Sequence, residues 1–168
     1  LGMLPGVLLK VEKYLKSTYG MILSVGPTGS GKSTSLFSMI STFNANDYNI
    51  STLEDPIEYR IPDITQTQVN TEVNFDFSNG LRTILRQDPD IIMGDEIRDE
   101  ETASIALRAA QTGHLVLATI HSNSNASSLV RLLDLGVPPV LMASGLSLVI
   151  SQRLLRVLCV DCRVPAQL

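Results

Sequence analysis

One stretch limits what this chain can become more than any other: Gly26-Pro-Thr-Gly-Ser-Gly31-Lys32-Ser33, set between an apolar run and a helix-like run. It fits G-x-x-x-x-G-K-[ST] at every fixed position. Glycines let backbone N–H groups wrap an anion with no Cβ in the way, and the helix that follows adds the positive end of its dipole. Lys32 is the residue expected at the β- and γ-phosphates of a nucleotide, and Ser33 the hydroxyl expected on Mg²⁺. From residue frequencies, a chance match in a chain of this length is on the order of 1% or less. A loop of this kind needs a strand before it and a helix after it.

The rest of the chain supplies both. An amphipathic helix is expected over Leu4 to Tyr19, with Val7, Leu8, Val11 and Leu15 on one face. Gly20 to Gly26 reads as a short apolar strand, Ser33 to Phe43 as a helix ended by the turn cluster Asn44 to Asn49, and Asn49 to Leu53 as a second strand. Glu54 to Asp63 is broken by proline, and Gln66 to Asn70 reads as a short strand of a hairpin or arm. Asp76 or Ser78 caps a helix running to about Gln87. Ile91 to Met93 is a buried strand, Asp99 to Thr112 a helix with acids in its first turn and Gly113 after it, and Leu115 to Ile120 another strand. Ser127 to Leu135 is helical and stopped by Gly136, and Pro138 or Pro139 starts a last apolar helix towards Leu155. The apolar run Val137 to Ile150 is too short to span a bilayer and reads as buried helix. Strands alternating with helices of these lengths give an α/β fold with a mostly parallel sheet flanked by helices.

Composition narrows the functional classes. A chain of 168 residues, 44% hydrophobic and 18% charged, is about one domain with a real core, and 5% aromatics without Trp make that core aliphatic. The net charge of −4 provides no basic field for nucleic acid. Every Lys lies at or before Lys32, and from Arg60 onward every basic residue is Arg, a fork suited to carboxylate or phosphate.

Three further elements carry candidate chemistry. Ile91-Ile-Met-Gly-Asp95-Glu96 is an apolar strand ending in two carboxylates, one of which can complete a Mg²⁺ shell while a neighbour polarises water. On a regular strand the two acids point to opposite faces, so only one faces the metal unless the chain turns there. Thr52-Leu-Glu54-Asp55-Pro56-Ile-Glu58-Tyr59 also ends a strand. Glu54 is its general-base candidate, and a plain proline turn with exposed acids is the competing reading. His114 and His121 bracket the strand Leu115 to Ile120. His121 leaves its C-terminal end, beside the other candidates, and suits a γ-phosphate sensor better than a metal ligand, because no third ligand has suitable spacing.

These four boxes, in this order, resemble one family, the secretion-superfamily ATPases of type II secretion and type IV pilus assembly. Residues 26 to 34, that is Gly26, Pro27, Thr28, Gly29, Ser30, Gly31, Lys32, Ser33 and Thr34, are similar to its Walker A box; Thr52 to Tyr59 to its aspartate box, with Glu54 in the place of the catalytic glutamate. Leu81 to Met93 with Glu96-Ile-Arg-Asp99 is similar to its Walker B region, and Thr112 to Leu117 with Thr119-Ile-His121 to its histidine box. The resemblance implies a RecA-like P-loop NTPase core over residues 1–156 and a hexameric motor in the cytoplasm at the inner-membrane face. It implies ATP and Mg²⁺ as ligands, and hydrolysis coupled to pilin or pseudopilin assembly through inner-membrane platform proteins, with no direct nucleic-acid partner. It implies Glu54, Glu96 and His121 as catalytic residues, residues 26 to 34 as the nucleotide cradle, and Ser33 and Glu96 on the metal.

The chain departs from the family at two places. Gly94-Asp95 stand where a hydrophobic residue and Gly usually precede Glu96, which leaves open whether Asp95 or Glu96 faces Mg²⁺. Ser122-Asn-Ser124 replaces the frequent Thr-Asn-Asp, and no role is assigned to Ser124. Arg82, Arg86 and Arg98 are either charge stabilisers or partners in salt bridges. Gln152-Arg-Leu-Leu-Arg156 followed by Cys159-Val-Asp-Cys162 resembles the start of the zinc subdomain of assembly-type members, which favours assembly or secretion over retraction. Residues 157–168 are read as a truncated piece of that subdomain, and Cys159 and Cys162 as half of a zinc site not expected to hold zinc here. The chain is expected to be part of a longer protein, with a partner domain before Leu1, and to bind nucleotide while turning it over poorly by itself. The alternative reading is a RecA-like nucleic-acid motor, which a basic-aromatic stripe would have favoured. A GTPase would need an Asn-Lys-x-Asp base reader, and no Lys follows Lys32.

Overall fold

The computed structural model describes residues 2–165. In chain order the elements are α1 (Pro5–Leu15), β1 (Gly20–Val25), α2 (Lys32–Ile40), β2 (Ile50–Glu54), β3 (Thr65–Gln68), α3 (Phe77–Leu85), β4 (Ile91–Glu96), α4 (Glu100–Gln111), β5 (Leu115–Ile120), α5 (Asn125–Asp134), α6 (Pro139–Gly145) and β6 (Leu146–Ser151). The strands form one six-stranded sheet in the order β3-β2-β4-β5-β1-β6, and every neighbouring pair is parallel.

The alternation of strand side chains divides the core into two layers. Met21, Leu23, Val25, Ile92, Val116, Ala118 and Ile120 face the layer closed by Leu81 and Ile84 of α3, Ala103, Ala106, Leu107 and Ala110 of α4, Leu132 of α5 and Met142 of α6. Ile22, Ile50, Ile91, Met93, Leu115 and Leu117 face the opposite layer, closed by Val11 and Leu15 of α1 and Leu36, Phe37, Met39 and Ile40 of α2. Burial on both faces explains why β1, β5 and the start of β4 read as continuous apolar runs.

Helix starts follow local chemistry. Asp76, rather than Ser78, caps α3 by accepting from Asn79 N. Asp99 caps α4 through Thr102 N, and Ser124 with Ser127 forms a capping box on α5, which gives Ser124 a structural role. Gly113 and Gly136 take positive φ just past α4 and α5, where a side chain would be strained.

Two expectations change. The apolar run after Pro138 is not one helix towards Leu155: α6 ends at Gly145, and Leu146–Ser151 is strand β6, parallel to β1. A Cβ at Gly145 would sit 2.9 Å from the Leu107 carbonyl. Glycine therefore lets α6 press onto α4 before the chain turns into the sheet, where Val149 and Ile150 suit a strand. The segment after the proline turn is not one arm of a hairpin either. β3 lies parallel to β2, with Ser51 opposite Thr65 and Glu54 opposite Gln68.

Candidate nucleotide-phosphate site

In a parallel sheet the strand C-termini share one rim, where ligands bind. On this rim β1 leads into the loop 26–31, β4 ends in Asp95 and Glu96, and β5 ends beside His121; β1, β5 and β4 are neighbours. A cavity of about 440 Å³ opens between them. Its wall includes Gly31, Lys32, Ser33 and Thr34 on one side, and Glu58, Asp95, Glu96, Arg98 and His121 on the other.

The loop has the backbone that the motif requires. Gly29 and Gly31 have φ of 73° and 82°, and α2 starts at Lys32 with Gly31 as its N-cap. Lys32 Nζ donates to the carbonyls of Gly26 (3.0 Å) and Pro27 (3.1 Å), curling the side chain over the loop. Burial pulls its pKa below that of an ordinary lysine, Glu96 and Asp95 pull it back up, and Arg153 adds to the lowering. Ser30 Oγ is buried without a hydrogen-bond partner among the described residues. These groups fit a phosphate: exposed backbone donors on a tight curve, a cation above them and a helix N-terminus behind.

Both strand-end acids reach the cavity, and a bulge explains how. The β4–β5 register runs Met93 to Leu117 but Glu96 to Thr119, one extra residue on β4. Thr119 Oγ1 donates to the Asp95 carbonyl at 2.5 Å and Ile97 N donates to the Thr119 carbonyl at 2.9 Å, pinning the bulge on both sides. Alternation is broken there, so Asp95 and Glu96 line one wall. Burial raises the Asp95 pKa above the ordinary aspartate value, Glu96 and Glu58 raise it further, and Arg98 opposes them. Glu96 is held at both oxygens: Arg98 Nε donates to Oε2 at 2.7 Å, and His121 Nε2 lies 3.3 Å from Oε1. Arg98 Nη1 also lies 4.0 Å from Asp55 Oδ2, linking the two acidic boxes.

The proline turn places its acids at different depths. Glu54 is 2% exposed, and its Oε1 accepts from Thr52 Oγ1 (2.5 Å) and Gln66 Nε2 (3.0 Å). It lines a small adjoining cavity of about 10 Å³ with Ser33, Glu58 and Asp95. Glu58, four residues on, is exposed and lines both cavities. Glu58 has no role assigned from its motif; its signal in the sequence is its place two residues after Pro56, in the turn that follows β2.

The remaining candidates lie elsewhere. Arg82 pairs with Glu101 at 2.6 Å between α3 and α4, a salt bridge away from the phosphate-site cavity. Arg86 is the exposed C-cap of α3. His114 sits at the opposite end of β5, its Nδ1 3.1 Å from the Ala109 carbonyl. Cys159 and Cys162 are exposed free thiols. Among the described residues no group of three or more His, Cys, Asp or Glu side chains is arranged to hold a metal ion. Magnesium in phosphate-loop sites does not need such a cage, because phosphate oxygens and water fill most of its shell. The Ser33 hydroxyl and the Glu96 and Asp95 carboxylates fit that partial shell.

An all-parallel sheet with a glycine-rich phosphate loop, facing a strand-end acid across one cavity, defines a nucleotide-binding P-loop core. The chain belongs to the family described as "Type II/IV secretion system protein", which matches residues 1–167. It is 52% identical over 164 residues to the type II secretion system protein HxcR of Pseudomonas aeruginosa, covering 98% of this chain and 35% of that protein. It is 52% identical over 154 residues to the type II secretion system ATPase E of Vibrio cholerae, covering 92% of this chain and 31% of that protein. The chain thus spans about a third of the length of these relatives. Among solved structures it is similar to the pilus retraction motor PilT with bound ADP, at a TM-score of 0.78 and 40% identity over 92% of this chain and 47% of that one. It is also similar to the ATPase DotB of Legionella pneumophila, at a TM-score of 0.75 and 31% identity over 89% of this chain and 44% of that one. Among the described residues no helix is long and apolar enough to cross a membrane.

Proposed function

We propose that this chain is the ATP-hydrolysing motor core of a hexameric type II secretion or type IV pilus assembly ATPase, driving pilin or pseudopilin assembly from the cytoplasmic face of the inner membrane through platform proteins there. The observation that carries the proposal is the shared cavity of Lys32, Ser33, Glu58, Asp95, Glu96 and His121. Lys32 binds the β- and γ-phosphates, and residues 26 to 34 wrap them with backbone N–H groups. Ser33 and Glu96 would hold Mg²⁺, with Asp95 beside them. When bound, Mg²⁺ neutralises the charge that develops on the transferred phosphoryl group. Glu58 takes the proton of an attacking water, since it lines the main cavity, while Glu54, bonded at Oε1 to Thr52 and Gln66, borders only the small adjoining one. Arg98 and His121 hold the Glu96 carboxylate in one orientation.

Three variants test these roles by nucleotide titration and phosphate release. Lys32→Ala should abolish tight ATP binding. Glu58→Gln should bind ATP normally and slow turnover by about 10²- to 10⁴-fold, the usual share of a general base. Glu54→Gln keeps a carbonyl oxygen for Thr52 and Gln66, so its turnover should fall less than about tenfold. Normal turnover in Glu58→Gln, with loss in Glu54→Gln, would return the base role to Glu54. Normal ATP affinity in Lys32→Ala would overturn the role given to Lys32, and failure of the unmodified chain to bind ATP would sink the nucleotide reading.

A further inference from the structure

We propose that Gln152, the residue just past the end of β6, is a positioning residue for the phosphate loop. The proposal rests on the nucleotide-binding reading above. Two hydrogen bonds and two close approaches converge on this residue. Its backbone N donates to the Val25 carbonyl at 2.8 Å, extending the β1–β6 pairing to the point where β1 becomes the loop. Its side-chain Oε1 accepts from Ser35 Oγ at 2.7 Å, 117 positions away in sequence, in the first turn of α2. Its body fills the space behind the two fixed glycines. A Cβ at Gly26 would lie 2.8 Å from the Gln152 carbonyl, and one at Gly31 would lie 2.9 Å from Gln152 Nε2.

Gln152 therefore touches the strand before the loop, the loop at both glycines, and the helix after it. Backbone groups bind phosphate well only when their curve is held before the ligand arrives. The loop has a second internal brace, the bonds from Lys32 Nζ to the Gly26 and Pro27 carbonyls. That brace is lost when Lys32 turns to a phosphate. The Gln152 bonds to Val25 and Ser35 use neither the Lys32 ammonium nor a loop N–H group, so phosphate binding does not compete for them. The strap carrying Gln152 is itself anchored: Arg153 Nη2 donates to the Asn123 carbonyl at 2.7 Å, two residues past His121. One side chain thus ties the loop to the sheet edge that also anchors the histidine end of the site.

The test is a double-mutant cycle read as affinity for the fluorescent probe N-methylanthraniloyl-ADP with Mg²⁺, measured on the chain and on Gln152→Leu, Ser35→Ala and the double variant. Each single variant is expected to weaken probe binding by about three- to tenfold, the worth of one hydrogen bond. The double variant is expected to be no weaker than the worse single one, because both remove the same link. A merely structural Gln152 would lower the unligated thermal midpoint and leave this coupling at zero. Affinities within twofold of the unmodified chain, or losses that multiply in the double variant, overturn the proposal. If Gln152→Leu fails to fold, Ser35→Ala against Ser35→Thr asks the same question from the other end of the bond. Threonine, which keeps the hydroxyl, should then bind like the unmodified chain, and equal loss in both overturns the proposal. Failure of the unmodified chain to bind the probe would instead overturn the nucleotide reading beneath it.

Discussion

Gly29 and Gly31 stand two residues apart with nearly the same left-handed backbone, φ of 73° and 82°, yet their surroundings differ. A Cβ at Gly29 meets nothing within 4 Å, whereas one at Gly31 meets Gln152 Nε2 at 2.9 Å and Leu154 Cδ2 at 3.6 Å. Replacing either by Ala incurs the left-handed penalty, roughly 1–2 kcal/mol. At Gly31 the new methyl must also push the end of the Gln152 side chain aside, which breaks its bond to Ser35. One such bond adds about 0.5–1.5 kcal/mol. Gly29→Ala should therefore cost about 1–2 kcal/mol of unfolding free energy and Gly31→Ala about 1.5–3.5. Urea denaturation reads the difference directly: with a slope of about 1–3 kcal/mol per M, the Gly31→Ala midpoint should fall below that of Gly29→Ala by several tenths of a molar. In a Ser35→Ala background the gap should shrink, since the bond is already gone. Equal losses at the two glycines, or a gap unchanged without Ser35, would refute the packing argument.

Two further outcomes follow from the electrostatics and the caps. Asp95 has its folded pKa raised by burial and by the neighbouring carboxylates of Glu96 and Glu58. Its stabilising contribution is thus full below its unfolded value and lost as pH rises through the folded one. Asp95→Asn should raise the thermal midpoint at pH 7 to 8, the gain narrowing as pH falls towards 4; a gain that grows in acid would contradict this. Asp99→Ala removes the acceptor for Thr102 N (2.8 Å) and Thr102 Oγ1 (2.9 Å) at the start of α4, and should cost about 1 kcal/mol in urea titration.

Much of this architecture is legible in the sequence because it depends on local signals. The glycines and Lys32 fix the loop, Asp99 and Gly113 bracket α4, and the apolar runs around Ile22 and Leu117 mark buried strands. What escapes depends on partners distant in sequence. Leu146–Ser151 reads as helix because an apolar run of that length is ambiguous; it is a strand because the free edge of β1 accepts it. Asp95 and Glu96 break strict alternation only because Thr119 of β5 grips the extra residue. Glu54 and Glu58 look alike as letters. Their difference, one bonded to Thr52 and Gln66 and the other lining the cavity, depends on β3 lying beside β2.

The charged groups of the site occupy one rim of the sheet, and among the described residues none of them lies at the opposite rim. The turns there are not equivalent. The turn at 87–90 is stitched to Asn49, which donates through Nδ2 to the Gln87 and Asp88 carbonyls and through N to Asp90 Oδ2. The turn at 44–47 is closed by its own bonds, Asp47 N to the Asn44 carbonyl and Asn44 Nδ2 to Asp47 Oδ2. Lengthening such a self-closed surface turn adds little closure entropy and strains no neighbour. A dye, an affinity handle or a surface tether inserted between Asn44 and Asp47 would thus report on the chain from its far end, leaving the nucleotide rim as it is.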